Sequence, residues 1–280
     1  FQINSKGNIV GHLFEKRTFS SMYKDDNDNL WFGGRFCGIF MEEPNGKVIS
    51  LFPEIKNKDI KDIIGDDREN LYFSVYGSGF MQYHLPTRTV TNYTSSLKNN
   101  WINSFIYSSE ELLWIGHCYG IDCFDPRIKG FKHLSAEFCG FITYSLLEDV
   151  KGNIWAGTNK GLLCYNPSRK ILKHYDMEDG LSNNFVYGVA EDEHGNIWCS
   201  TLKGINLVNV DENRIVSYYS ERGLVDNEYM PGASFQSMDG MIYLGGIKGI
   251  TYFHPDSIVQ QQKQLEVVLS NLYLGGKAVT

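Results

Sequence analysis

One phrase recurs along nearly the whole chain, and its period constrains the fold more than any other feature. The two fullest copies are Asp149-Val-Lys-Gly-Asn-Ile-Trp155, followed by Ala-Gly-Thr-Asn-Lys-Gly161, and Asp192-Glu-His-Gly-Asn-Ile-Trp198, followed by Cys-Ser-Thr-Leu-Lys-Gly204. Weaker copies centre on Trp31, Tyr72, Trp114 and Tyr243, so the aromatic position advances by 41, 42, 41, 43 and 45 residues. A glycine follows six or seven residues after each aromatic (Gly38, Gly79, Gly120, Gly161, Gly204, Gly249), and Pro44, Pro126, Pro167 and Pro255 lie six further on. Self-similarity at this period is the mark of a repeat architecture in which each unit buries its apolar face against its neighbours.

Each unit reads as four short strands bounded by turn chemistry. In the fifth unit these are residues 185–191, 197–201, 205–209 and 214–219, innermost first. The Asp-x-x-Gly-Asn phrase falls at the first hairpin, where Gly and Asn tolerate positive φ and Asp accepts turn N–H groups. The aromatic after it is the wedge expected between adjacent sheets. Four-stranded units of this length, repeated about an axis, make an all-β β-propeller. The boundaries read as the end of a preceding blade in residues 1–14, six complete blades in 15–255, a linker in 256–264 and the start of another β domain in 265–280. The chain thus reads as a piece of a longer protein whose closed ring is expected to hold seven blades.

Composition removes several function classes. There are 26 Lys and Arg against 33 Asp and Glu, for a net charge of −7, and no basic block, so nucleic acid is not an expected partner. No apolar run reaches the 18 or so residues of a membrane span, so membrane contact is expected only through other parts of a parent protein. The seven histidines show no metal-ligand spacing, and neither a nucleophile elbow nor a phosphate loop is present, so no catalytic residue, metal or cofactor is expected.

The unit Asp-x-x-Gly-Asn-Ile-Trp, with its following small Gly/Ser-Thr pair and Lys-Gly-Leu/Ile, resembles the two-component regulator propeller family. The stretch from Gly223 to Phe235, with residues 245–255, looks like that family's closing blade, and residues 267–279 look like the start of the β-sandwich named for three tyrosines. The turn Asp is replaced by Ser108 in the third unit and Ser237 in the sixth. The resemblance implies a periplasmic sensor region of a membrane-bound hybrid histidine kinase that detects an oligosaccharide from polysaccharide breakdown and signals through homodimer geometry. The region itself would not be an enzyme.

In a propeller, the loops from outer strand to next inner strand and from second to third strand open on one face. Non-repeating residues there are the better ligand candidates, because a repeated residue is explained by the scaffold. The first loop set supplies Arg17, Lys58, Asn100, Trp101, Phe141, Asn184, Phe185, Glu228 and Tyr229, and the second adds Arg35, His117 and Tyr119. Amides suit sugar hydroxyls, rings suit apolar sugar faces, and Arg17 or Lys58 would suit a uronate or sulfate. Asn100, Asn184 and Asn227 recur in register, which equally fits loop termination. Two other readings stand beside the sensor. One is a pure interaction scaffold. The other is a lyase like the streptogramin-lyase propellers, for which His117 and Glu228 are the available His and Glu. Cys123, Cys164 and Cys199 fall at core positions, whereas Cys118 and Cys139 fall in loops of neighbouring blades, where an oxidising compartment would permit a disulfide.

Overall fold

The computed structural model describes residues 18–258 except 67, 96, 133, 135 and 221–223, and the backbone of four short strands outside them. Those four pair antiparallel as Gln2–Ile3 with Ile9–Gly11 and Leu272–Leu274 with Lys277–Val279.

Between them the chain forms a β-propeller of six blades. Blade 1 is Phe19–Lys24, Leu30–Gly34, Gly38–Glu42 and Val48–Leu51, and blade 2 is Ile60–Gly65, Asn70–Val75, Phe80–His84 and Thr89–Tyr93. Blade 3 is Ile102–Tyr107, Leu113–His117, Gly120–Asp125 and Gly130–Lys132, and blade 4 is Thr143–Glu148, Ile154–Thr158, Gly161–Asn166 and Ile171–Tyr175. Blade 5 is Val186–Glu191, Ile197–Thr201, Gly204–Asn209 and Arg214–Tyr218, within one residue of the strands expected from the repeat. Among the described residues blade 6 shows three of its four expected strands, Tyr229–Gln236, Ile242–Gly246 and Gly249–Phe253. A 3-10 turn at Pro255–Ser257 follows directly, and proline there cannot continue a ladder.

The repeated phrase works as one hydrogen-bonded unit. One carboxylate oxygen of Asp192 accepts the backbone N–H of His194 (3.0 Å) and of Asn196 (2.9 Å), fixing the hairpin. The other accepts the Asn196 side-chain amide (3.0 Å) and the Trp198 indole N–H (2.9 Å). Asp25 and Asp149 repeat the arrangement on Trp31 and Trp155, and Asp66 holds the Tyr72 hydroxyl at 2.8 Å. The polar tip of each aromatic is thus satisfied while its ring is buried. Every one of the five blade junctions has its own core cluster, and each cluster contains the aromatic of the earlier blade: Trp31, Tyr72, Trp114, Trp155 and Trp198.

The glycine of Lys-Gly has a different reason. At Gly204 a Cβ would lie 2.3 Å from the Tyr218 carbonyl, and at Gly161 2.2 Å from that of Tyr175, so the third strand can start there only without a side chain. Inner strands pack in chain order, each on the next. Blades 1 and 6 share no comparable packing among the described residues. The outer face of blade 6 accordingly leaves Phe235 and Tyr252 about two-thirds exposed, at 64% and 65%.

Two substitutions test this account. Asp192→Ala leaves the Trp198 indole N–H buried without an acceptor and should cost about 2–4 kcal/mol in urea unfolding. Blade 2 carries Glu69 at φ 60° where the full phrase has glycine, so Glu69→Gly should stabilise by about 0.5–1 kcal/mol. A neutral Asp192→Ala or a destabilising Glu69→Gly would contradict it.

Candidate ligand-binding face

A single repeated hydrogen bond ties the two loop sets together. The residue before each inner strand accepts, through its carbonyl, the N–H of a residue in the second-to-third strand loop of the same blade. The pairs are Arg35 to Thr18, Tyr76 to Asp59, Cys118 to Trp101, Asn159 to Ile142, Leu202 to Phe185 and Ile247 to Glu228, at 2.9–3.1 Å. Both sets therefore share one face around the channel mouth, as the blade order required.

The candidate residues separate into two groups. Trp101 stands 52% exposed on the rim with its ring 5.1 Å from that of Tyr76, and Tyr119, Phe185, Arg35, Lys58 and Glu228 are also exposed. Arg35 lies over the Phe36 ring at 5.3 Å and, with Phe36, Cys37 and Lys56, lines a cleft of about 730 Å³ on blade 1. Arg17 lies outside the described residues.

Phe141, Tyr229 and His117 are not on the surface. Phe141 (7% exposed) belongs to the cluster between blades 3 and 4. Tyr229 (2%) belongs to the one between blades 5 and 6, its hydroxyl 2.9 Å from that of Thr251. His117 is fully buried as the last residue of its strand, with Nδ1 accepting the Tyr119 N–H and Nε2 3.2 Å from Asp122. Asp122 occupies the place of Asn206 in blade 5, since each accepts a loop N–H, from Lys98 and Ser182 respectively. Burial opposes the Asp122 charge, but the bonds from His117 and the Lys98 N–H outweigh it and hold the carboxyl below its usual range. This pair is a structural brace.

Asn184 also has a scaffold role, accepting the Met177 N–H at 2.9 Å as Asn227 accepts that of Ser220 at 2.7 Å. Asn100 breaks that pattern. Its backbone carbonyl accepts from Gly77 and Gly79, and its side-chain oxygen is buried with no partner. Cys118 and Cys139 are free thiols, so the possible bridge is not formed; Cys118 Sγ instead lies 3.8 Å from the Tyr76 hydroxyl and 3.7 Å from the Asn103 amide.

The sequence reading missed a set of residues inside the mouth. Every inner strand breaks register with the second strand near its start: between Phe19 and Ser21, Ile60 and Ile63, Ile102 and Ser104, Thr143 and Ser145, Val186 and Gly188, and Tyr229 and Ser234. A bulge adds an unpaired residue and re-aims its side chain. The residues so placed include Lys61, Asn103, Tyr144 and Tyr187, and the only sequence signal for them is one extra residue against a period of two.

Asp62, beside Lys61, joins three blades. Its carboxylate accepts the Ser21 hydroxyl of blade 1 (3.1 Å), its neighbour Ile63 N–H (2.9 Å) and the Phe105 N–H of blade 3 (2.7 Å). Removal from water outweighs these three bonds and raises its pKa to about 6.

The comparisons with known proteins agree with this geometry. The two-component regulator propeller family matches residues 137–160 and 180–203, the loop, inner and second strands of blades 4 and 5. A histidine kinase from Formosa agariphila is 27% identical over 90% of this chain, which spans about a fifth (20%) of that protein's length. The extracellular domain assigned to a hybrid two-component system of B. thetaiotaomicron superposes with a TM-score of 0.80 at 22% identity, over 94% of this chain and 38% of that one. A virginiamycin B lyase from Staphylococcus aureus superposes with a TM-score of 0.69 at 8% identity, over 85% of each chain. The fold is thus that of a repeat propeller, shared by sensor ectodomains and lyases alike. Two of its repeats match the two-component regulator propeller model.

Asp62 makes the stability of the channel mouth depend on pH. Its folded carboxyl titrates near 6, against about 4 in an unfolded chain, so folding favours the protonated form. That contribution is complete below about pH 4 and is lost as pH rises through 6. In urea unfolding, the wild type should lose about 2 kcal/mol relative to Asp62→Asn between pH 4 and pH 7. A difference that stays flat would contradict the assignment.

Proposed function

We propose that this propeller is the ligand-sensing region of a hybrid two-component signalling protein, positioned outside the cytoplasmic membrane, and that its ligand is an oligosaccharide. The single observation that carries the reading is the channel mouth. On a scaffold whose repeated residues are largely accounted for by packing and turns, the mouth gathers exposed or half-buried rings that the turns do not require. These are Trp101 on Tyr76, and the Tyr144–Tyr187 pair at 4.9 Å. Paired rings, an amide and a cation suit a molecule with apolar faces and many hydroxyls. The family match and the likeness to a two-component ectodomain support the sensor role. Binding would bias the geometry of a homodimer, and it can do so only by its difference in affinity between two signalling states.

The lyase reading has less support. His117, the histidine it would use, is sealed in the core against Asp122. No helix among the described residues is long and apolar enough to cross a membrane, so anchoring would fall to other parts of the protein.

Calorimetric titration of the full-length protein with a panel of neutral and acidic oligosaccharides tests the reading. Binding of one class without turnover is expected, weakened about tenfold in Trp101→Ala by loss of ring stacking. Product formation, or silence across the panel, would overturn it.

A further inference from the structure

The bulges put a second tier of side chains below the loop rim, and this tier has a polarity of its own. Blades 1 to 5 each carry one extra residue at the same height: Ser20, Lys61, Asn103, Tyr144 and Tyr187. Blade 6 carries a longer insertion, residues 230–233, whose Gly232 comes up to the Tyr144 carbonyl on the far side of blade 5. The adjacent inner-strand positions are small in four blades (Ser21, Ser104, Ser145, Gly188), with Asp62 the exception in blade 2. The bulge positions differ in blades 1 to 3 and share tyrosine in blades 4 and 5.

These side chains form one lining from blade 2 to blade 5. Lys61 Nζ lies 5.0 Å from the Tyr76 ring centre, under the Tyr76–Trp101 pair. The Asn103 amide donates to the Thr143 carbonyl at 2.8 Å, which leaves its own oxygen for an incoming donor. Tyr144 meets Tyr187 edge to face, and Tyr187 meets Phe185 at 6.5 Å. Lys61 has no carboxylate within ion-pair distance among the described residues, because the neighbouring Asp62 is turned into its bonds with Ser21, Ile63 and Phe105. On the opposite side Glu228 is close enough to Tyr187 to raise its hydroxyl pKa further after burial has done so. The mouth therefore holds Lys61, with Asp59 also near the Tyr76 hydroxyl, on the blade 2 side, is aromatic through blades 4 and 5, and carries Glu228 toward blade 6.

We propose that this bulge ring is a binding site for an acidic oligosaccharide. The uronate carboxylate pairs with Lys61 beneath Tyr76 and Trp101, and a neighbouring sugar ring stacks on the Tyr144–Tyr187 pair with a hydroxyl on Asn103. The ligand enters in one direction, since the reverse orientation would set its carboxylate against Glu228. The proposal rests on the oligosaccharide reading above and adds to it the ligand's charge and its seat.

The probes are trigalacturonate and, as the neutral counterpart, maltotriose, titrated calorimetrically into the full-length protein at low salt. Wild type is expected to bind trigalacturonate at least about tenfold more tightly than maltotriose, as a charge-assisted contact implies. Lys61→Met should erase that preference, Lys61→Arg should keep most of it, and Tyr187→Ala should weaken both sugars about tenfold. Preference unchanged in Lys61→Met, or no binding of trigalacturonate by wild type, overturns the site. If an oligosaccharide of the wider panel binds and ignores both Lys61→Met and Tyr187→Ala, the bulge site falls while the sensor reading stands. Silence across that panel removes both.

Discussion

The fold depends on a carboxylate that makes two kinds of bond at the first hairpin of four of the six blades. Asp25, Asp66, Asp149 and Asp192 each close the turn through two backbone N–H groups and reach the polar tip of the aromatic six residues on. A Trp or Tyr whose N–H or O–H is satisfied locally can bury its whole ring against the next sheet without a stranded donor. That burial sets the spacing of the blades, and the spacing brings the inner strands around a common axis. Everything at the channel mouth inherits its position from this clamp. In blade 3 Ser108 replaces the Asp and its hydroxyl is buried without a partner; the N–H and hydroxyl of Ser109 bond Glu148 of blade 4 at 2.7 Å, as the Val150 N–H of blade 4 bonds Glu191 of blade 5.

A scaffold built by repetition makes function visible by exception. Positions that recur are explained by geometry: the positive-φ glycines, the Asn residues that close outer loops, and the carbonyl before each inner strand that receives a loop N–H. What remains after those are set aside is a small group clustered at one face. Trp101 is the sole tryptophan of the five outside the blade junctions. Lys61, Tyr144 and Tyr187 stand at bulges, where an unpaired residue re-aims its side chain. Rigid strands carry them, so a ligand would meet groups already in place, with little ordering cost on binding.

The sequence made the architecture legible because period and turn chemistry agree. The aromatic step near 42 residues defined the units, and the fifth unit's strands were placed within one residue from apolar runs and turns. The shared loop face followed from blade topology. What stayed hidden has physical causes. A bulge is one extra residue in a strand, and a period-two pattern absorbs it without trace. His117 sits where other units carry Gly34, Thr158 and Thr201, at the strand end rather than in the loop, and its pairing with Asp122 across the hairpin cannot be read from spacing. Phe141 and Tyr229 flank inner strands whose first residues turn into the blade junction, so their ring size served the core rather than the surface.

The central claim is that ligand is held in the mouth, by bulge residues below a loop rim. Hydrogen exchange of the full-length protein, with and without a bound oligosaccharide, reads this directly, since closing the mouth slows exchange of the backbone beneath it. The account predicts new protection in the segments spanning residues 59–62, 76–79, 101–104, 142–145 and 185–188, with the first hairpins on the opposite face unchanged. Saturating ligand that leaves all of those segments exchanging at their free rate would contradict it.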